Sequence, residues 1–341
     1  PELTHWTLAN GVHCVAAEMP DAPLTCLDLW CRAGSASEDQ GEEGMAHFLE
    51  HMVFKGSERM EAGAFDRAIE ALGGSSNAAT GFDDVHFHVL IPPEQAPVAL
   101  ELLLDLVLNP ALAEDAFELE RDVVLEEIAQ YEDQPDEQVL QQTLTRACPQ
   151  HAYGRPILGW PKSLQAMTPA TMRQFHQRRY RGPNCCLAIS GCGVESLRSC
   201  IESSPLAERP AGAAPPTGAA LQLRPGRHQI AVDRLESARL LMLWSGASAA
   251  DQNWVVGADL ATTLLGEGRR SRLVARLREE LQIAETVDMD LTSLEQGSLI
   301  TLEISCDASQ LETVEACVHD QLSSTELFSP VELDRGRQLV G

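Results

Sequence analysis

The sequence predicts an α+β protein made of two related α/β-sandwich halves, each a sheet covered by helices. Three observations indicate this. The 341 residues exceed what one compact core usually organises. Strand-like runs alternate with segments of helical period. A similar order of elements recurs after a segment rich in Pro, Gly and Ala. We therefore expect a first half over 1–205, a linker over 206–222 and a homologous second half over 223–341.

In the first half, short apolar runs predict strands, and apolar residues every three to four positions predict helices. The strands are expected at 12–17, 25–30, 85–91 and 186–190. The helices are expected at 45–54, 63–72, 96–109, 116–131, 136–147 and 169–178.

The second half repeats this mixture over fewer residues. Its strands are expected at 229–233, 240–244, 287–291 and 299–305, with a long helical region over 254–279 and a helix over 309–322. The final letters, VELDRGRQLVG, read as the start of a further helix. If the second half repeats the first, its closing helices and strand are missing, so we expect a truncated half.

The composition limits the classes of partner. A net charge of −26 repels nucleic acid and anionic lipid and favours basic peptides, although the acidity could serve solubility alone. The most apolar stretch, 97–112, is short and contains two acids, so no membrane span is expected. The first residues resemble no targeting segment, and the ten dispersed cysteines read as reduced thiols. We expect a cytoplasmic protein, and a bacterial cytoplasm is favoured over an organelle.

One segment carries metal-binding chemistry, and it reads GMAHFLEHMVFKG. Positions four apart lie one turn apart on a helix, so His47 and His51 can face one ion while Glu50 lies beside them. This H-x-x-E-H order suits a metallopeptidase in which the carboxylate acts on water without binding the metal. Because chance alone produces the pattern occasionally, further context is needed.

Catalytic zinc usually takes three protein ligands, so a third must come from elsewhere. The segment AFELERDVVLEEIAQYED predicts a helix with Glu120 and Glu127 two turns apart on nearly one face. A pair facing a metal fits that spacing. Ordinary solvated carboxylates fit it as well.

These motifs together resemble the pitrilysin family of zinc metallopeptidases, which includes insulin-degrading enzyme and the mitochondrial processing peptidase. The resemblance also covers GGSSNAATGFDDVHFHV, YGRPILGWPKSL and RYRGPNCCLAISG, and so spans nearly all of the first half. It implies a zinc endopeptidase in which His47, His51 and Glu127 bind Zn²⁺. Glu50 is then the general base, and Glu120 supports the site from behind a ligand.

The resemblance also implies substrate contacts. In relatives the substrate adds as a strand to a sheet edge at the Asn-Ala motif, here Asn77, Ala78 and Ala79. Phe54 resembles a residue that lines the pocket after the scissile bond, although plain helix packing explains it equally. Two acids that receive an arginine in the mitochondrial enzyme correspond to Glu137 and Gln141, so only one of the two is acidic here and the resemblance leaves arginine selectivity open.

The second half departs from the family at one position. Arg278 matches an Arg that reaches the substrate, but Glu285 stands where the family has Tyr. An ionised carboxylate cannot donate to an oxyanion. We therefore expect a homologous partner chain to supply the Arg and Tyr, most simply in a heterodimer, with a homodimer as the other arrangement.

Two alternatives to an endopeptidase acting on peptides or unfolded segments stay open, a non-catalytic scaffold of the same fold and a metal-storage protein. His86 and His88 alternate along a predicted strand. They have no carboxylate or cysteine at matching reach in the sequence, so they are not expected to bind metal.

Overall fold

The structure is a computed structural model that describes residues 2–212, 218–232 and 235–340. Its strands are β1 (Leu3–Thr7), β2 (His13–Glu18), β3 (Thr25–Cys31), β4 (Ser75–Thr80), β5 (Val85–Ile91), β6 (Cys185–Gly191), β7 (Ala238–Ser245), β8 (Thr286–Thr292) and β9 (Leu299–Cys306).

The helices are α1 (Met45–Val53), α2 (Ala64–Ala71), α3 (Ala96–Leu108), α4 (Glu114–Glu132), α5 (Pro135–Ala147), α6 (Pro161–Ala166), α7 (Pro169–Arg179), α8 (Arg198–Glu202), α9 (Gln252–Gly266), α10 (Arg272–Val274), α11 (Leu311–Ser323) and α12 (Pro330–Val340). A π-helical turn, Ala275–Glu280, continues α10. Within the described residues, no helix has the length and apolar content of a membrane span.

The chain divides into two compact units, which are described separately. The first contains the described residues up to 131 and from 155 to 212; the second contains 132–154 and the described residues from 218 onward. Helix α5 thus belongs to the second unit. The ranges 1–205, 206–222 and 223–341 stay a prediction, and part of that linker lies outside the described residues.

The first unit is built on a six-stranded sheet of order β1-β2-β6-β3-β5-β4. Neighbours are antiparallel except for the parallel pair β2 and β6. Burial alternates along β3 and β5, as expected for a sheet with one face against the core. The core-facing side chains of these strands include Leu27, Leu29, Phe87 and Val89, which cluster with buried residues of the helices, among them Phe48, Leu49, Leu103, Leu104, Phe117 and Val124.

The second unit has a three-stranded antiparallel sheet of order β7-β9-β8. Its core combines strand residues such as Leu302 and Ile304 with Leu273, Leu277 and Val314 of the helical segments. The mixed sheet-and-helix architecture predicted from the sequence is confirmed in both units.

Several predicted elements differ from the structure. Residues 229–232 form no strand, and residue 233 lies outside the described residues. A short apolar run becomes a strand only where a neighbouring strand pairs with its backbone. The long helical region predicted over 254–279 is helical in the structure but is interrupted after residue 266. Helix α9 ends at Gly266, Gly268 adopts a φ of 76°, and helical structure resumes at Arg272.

The sequence prediction missed β1 and β4. Their sequences, LTHWT and SSNAAT, are too polar to stand out as apolar runs. Pairing with β2 and β5 makes them strands, and β4 forms an edge of the sheet.

Candidate metal centre and active site

Helix α1 presents the three residues of the inverted motif on one side. Its buried residues include Phe48, Leu49 and Met52, which bind the helix to the core. Helical spacing then places the His47 and His51 rings together, with centroids 4.7 Å apart. The side chains of His47 and His51 are 12% and 23% exposed, so an ion and a substrate can reach them.

Glu127 of α4 meets both imidazoles, although it is distant in sequence. Its Oε1 lies 3.7 Å from Nε2 of His47, and its Oε2 lies 3.4 Å from Nε2 of His51. Two ligand atoms about 2.1 Å from one tetrahedral zinc ion would be about 3.4 Å apart. One ligand atom from each residue lies within 4.8 Å of the others. The three residues therefore fit a divalent ion.

Glu120 lies about two turns before Glu127 on α4 and orients the ring of His51. Its Oε1 lies 2.9 Å from Nδ1 of His51, and its Oε2 lies 2.7 Å from Nζ of Lys55. A carboxylate paired with Lys55 accepts, so Nδ1 of His51 donates to Glu120. Nε2 of His51 then faces the oxygen of Glu127. A carboxylate on one nitrogen of an imidazole is common where the other nitrogen binds a metal ion.

His47 is held in its neutral form. Burial, followed by the neighbouring His51, lowers the pKa of His47 to about 4. Its Nδ1 is buried without a hydrogen-bond partner within the described part of the chain. A neutral imidazole is the form that binds a metal ion.

Glu50 contacts the edge strand of the sheet. The hydroxyl of Thr80, the last residue of β4, donates a short hydrogen bond to Oε2 of Glu50. Burial raises the pKa of Glu50 from its ordinary value, and the Thr80 hydroxyl offsets part of that rise. A carboxylate with a raised pKa is suited to take up and release a proton.

The edge strand β4 carries Asn77, Ala78 and Ala79. Only one side of β4 pairs within the sheet, because β4 is the last strand in the order. The N–H of Ala78 donates to Oδ1 of its neighbour Asn77, at 2.9 Å. The other side of β4 is the open edge of the sheet, where an added strand would bind.

Phe54 ends α1 and is partly buried. Its ring lies 6.2 Å from the rings of both Phe65 and Phe87, measured between centroids. Phe54 therefore packs against the core, as its alternative explanation, helix packing, requires.

Glu137 and Arg278 belong to the second unit, on α5 and on the π-helical turn. The guanidinium of Arg278 donates to Oε1 of Glu279, with Nη2 at 3.0 Å. Glu285 accepts from the hydroxyl of Ser237 at 2.8 Å.

Three residues at the site escaped the sequence reasoning. Lys55 follows His51 by four positions, so the spacing that found the histidines could have found it. Thr80 is the last residue of the Asn-Ala-x-Thr pattern. Glu38 carried no signal. It accepts from the N–H groups of Gly44 and Ala46 at the start of α1, a contact that only the fold creates.

A sheet-and-helix unit with two histidines, a distant glutamate and an adjacent glutamate defines a class of protein, the metallopeptidase-like proteins with an inverted motif. Comparison with known families identifies the particular family within this class. Residues 14–160 match the family described as "Insulinase (Peptidase family M16)", and residues 166–340 match "Peptidase M16 inactive domain". The chain belongs to the M16, pitrilysin-type, peptidase family.

Similar proteins carry names of the same kind. The chain is 28% identical to an uncharacterized zinc protease of Streptomyces coelicolor, over 93% of this chain and 70% of that protein. It is 29% identical to one of Mycobacterium tuberculosis, over 97% and 76%. A protease from Helicobacter pylori has the same fold, with a TM-score of 0.88, 22% identity, and coverage of 99% of this chain and 84% of that one.

Proposed function

We propose that this protein is a zinc-dependent endopeptidase that hydrolyses peptides or unfolded segments. The observation that carries the proposal is the convergence of His47, His51 and Glu127 at distances that suit one ion, with Glu50 on the same helix turn. The names of the relatives, zinc proteases, support the same metal and reaction class.

His47, His51 and Glu127 would hold the zinc ion. When bound, zinc supplies Lewis acidity, which lowers the pKa of a water molecule and polarises the scissile carbonyl.

Glu50 moves the proton in this mechanism. Since Thr80 donates to Oε2, the proton from water is taken at Oε1, and the same atom can deliver it to the leaving amine. The raised pKa of Glu50 brings its proton affinity closer to that of the groups between which it works. Glu120 and Lys55 keep the His51 ring oriented throughout.

The peptide would bind as a strand added to β4. Main-chain pairing along Asn77, Ala78 and Ala79 tolerates many sequences and brings the substrate to the strand that ends at Thr80, which contacts Glu50. This strand therefore links substrate position to the catalytic carboxylate.

The test is the substitution Glu50→Gln, with zinc content and peptide cleavage measured on one preparation. The amide keeps the shape and the Thr80 contact but cannot accept a proton. We expect zinc to stay bound and turnover to fall by a factor of about 100 to 10,000 or more. Glu118→Gln, at an exposed position of α4, is the control and should retain activity. Cleavage by Glu50→Gln at the wild-type rate would refute the assignment.

We also propose that a homologous chain completes the active site. Arg278 is paired with Glu279, and Glu285 carries a carboxylate where relatives use a phenol to donate a hydrogen bond. A partner that retains the Arg and Tyr would supply that donor. The purified chain should be nearly inactive alone and gain activity, together with a doubled mass in solution, when the partner is added. Full activity of the chain alone would rule the requirement out.

A scaffold without catalysis is a second candidate, favoured by the description of the 166–340 match as an inactive domain. It predicts that Glu50→Gln leaves every measurable property of the protein unchanged.

A further inference from the structure

We propose that Asp28, His86 and His88 form a second binding site for a divalent transition-metal ion. The site lies on the sheet of the first unit and shares no residue with His47, His51 or Glu127. It therefore stands or fails independently of the proposed peptidase activity.

Strand pairing brings the three residues together. Asp28 of β3 is directly opposite His88 of β5, and His86 lies two residues before His88 on the same face. The adjacent residues Leu27, Leu29 and Phe87 are buried in the core, so the three polar side chains project from the opposite face. The expectation that the histidines lack a carboxylate is wrong, because Asp28 is distant from them in sequence and adjacent in the sheet.

The ligand atoms are close enough for one ion. One atom from each of the three residues lies within 4.8 Å of the others, as at the first site. Nδ1 of His86 is already 3.1 Å from Oδ1 of Asp28, and the two imidazole centroids are 5.6 Å apart. Tetrahedral coordination needs about 3.4 Å between ligand atoms, which small side-chain rotations would provide.

The site is partly preorganised. Both strands pair on two sides, so the backbone beneath the cluster is fixed. The indole of Trp30 stacks on His86, with centroids 4.2 Å apart and planes within 13°. Asp28 and His86 keep 19% and 22% of their side-chain surface exposed, which leaves a path for an ion and for water as a further ligand.

The donor set selects the kind of ion. Two imidazole nitrogens and one carboxylate oxygen favour Zn²⁺, Cu²⁺, Ni²⁺ or Co²⁺ over Ca²⁺ and Mg²⁺, which prefer oxygen.

Metal stoichiometry of the whole chain tests the proposal. Zn²⁺ and Co²⁺ binding to the metal-free protein would be measured by titration calorimetry, with thermal unfolding to verify that each variant is folded. We expect two ions for the wild type, one for the His47→Ala/His51→Ala double variant, and one for His86→Asn/His88→Asn. Asp28→Asn should weaken the second ion about tenfold or more.

The matched control is His13→Asn. His13 lies on β2, in the same sheet, and is exposed, but it is three strands away from His86. It should leave two ions bound. Failure of the His47→Ala/His51→Ala variant to bind any ion would overturn the second site, and so would two ions in a folded His86→Asn/His88→Asn protein. A wild-type protein that binds only one ion, and loses it in His86→Asn/His88→Asn but not in His47→Ala/His51→Ala, would count against the proposed peptidase and not against this site.

Trp30 offers an independent optical readout. Cu²⁺ at His86 should quench the fluorescence of the stacked indole, and the quenching should persist in the His47→Ala/His51→Ala variant. Trp30→Phe should remove this signal and keep the stoichiometry. Quenching that survives in His86→Asn/His88→Asn would contradict the assignment.

Discussion

Glu120 shows how one buried side chain can orient a proposed metal ligand, His51. Its carboxylate is 8% exposed and is shared between Nδ1 of His51 and Nζ of Lys55. Burying an unpaired carboxylate destabilises the folded protein, and here both partners donate hydrogen bonds to it. Glu120 therefore orients His51 and is itself held in place by Lys55.

We predict that Glu120→Gln weakens zinc binding about 10- to 100-fold without unfolding the protein. The amide can still meet His51 through its oxygen, but it loses the charge that Lys55 neutralises. A competition titration with a chelator would measure the dissociation constant. Glu118→Gln is the control on the same helix, and equal affinities for both variants would contradict the role given to Glu120.

His176 makes the first unit sensitive to acid. Its ring is buried and its Nε2 donates to the carbonyl of Val107. Burial lowers the pKa of His176 to about 4, from 6.5. Below pH 6.5 His176 is protonated in the unfolded chain but not in the folded chain. The contribution of neutral His176 to the free energy of unfolding is therefore fully present above pH 6.5 and is lost as the pH falls from 6.5 to about 4.

The variant His176→Gln should lose less stability across this window, by up to about 3 kcal/mol. Its amide can still donate to Val107 but does not titrate. Urea unfolding at pH 7 and pH 4.5 would measure the difference, with His5→Gln at an exposed position as control. The same pH dependence in His176→Gln and wild type would exclude His176 as the source.

At the scale of elements, the start of α1 sets the position of the proposed metal ligands. Gly44 precedes the helix with a φ of 95°, and a Cβ atom there would lie 2.5 Å from the carbonyl oxygen of Leu158. Glu38 satisfies the free N–H groups of Gly44 and Ala46. The helix is thus located by a close backbone approach as well as by its apolar face.

We predict that Gly44→Ala destabilises the protein by about 3 kcal/mol or more, through left-handed strain together with overpacking. Gly41→Ala is a matched control, because Gly41 has a φ of 90° and open space around it. That variant should lose only the strain component, about 1 kcal/mol. Chemical unfolding of both variants would measure the difference between their free energies of unfolding. Equal decreases in the two variants would show that the contact with Leu158 does not matter.

The whole molecule carries a net charge of −26, which acts on approaching substrates at long range. If the acidity selects basic peptides, kcat/KM for a cationic peptide should fall about tenfold as ionic strength rises from about 0.01 to about 0.5 M. An uncharged peptide of the same length should show little change. Equal salt dependence of the two peptides would leave solubility as the explanation for the acidity.

Local pattern alone determined much of this protein. Helical period and the four-residue spacing of His47 and His51 act within one turn, so they can be read from consecutive letters, and most strands and helices of the first unit lie within a few residues of their predicted bounds. The resemblance to the family, which the comparisons confirm, added the distant Glu127. Its role as a ligand stays a prediction, although it lies beside both imidazoles.

Only the tertiary structure decided the contacts between distant segments. The polar strands β1 and β4 exist because neighbours pair with them, and the contacts of Thr80 with Glu50, Lys55 with Glu120 and Asp28 with His86 depend on how strands and helices pack. The physical reason is that side-chain periodicity sets which face a residue occupies, whereas pairing and packing of remote segments set what it meets there.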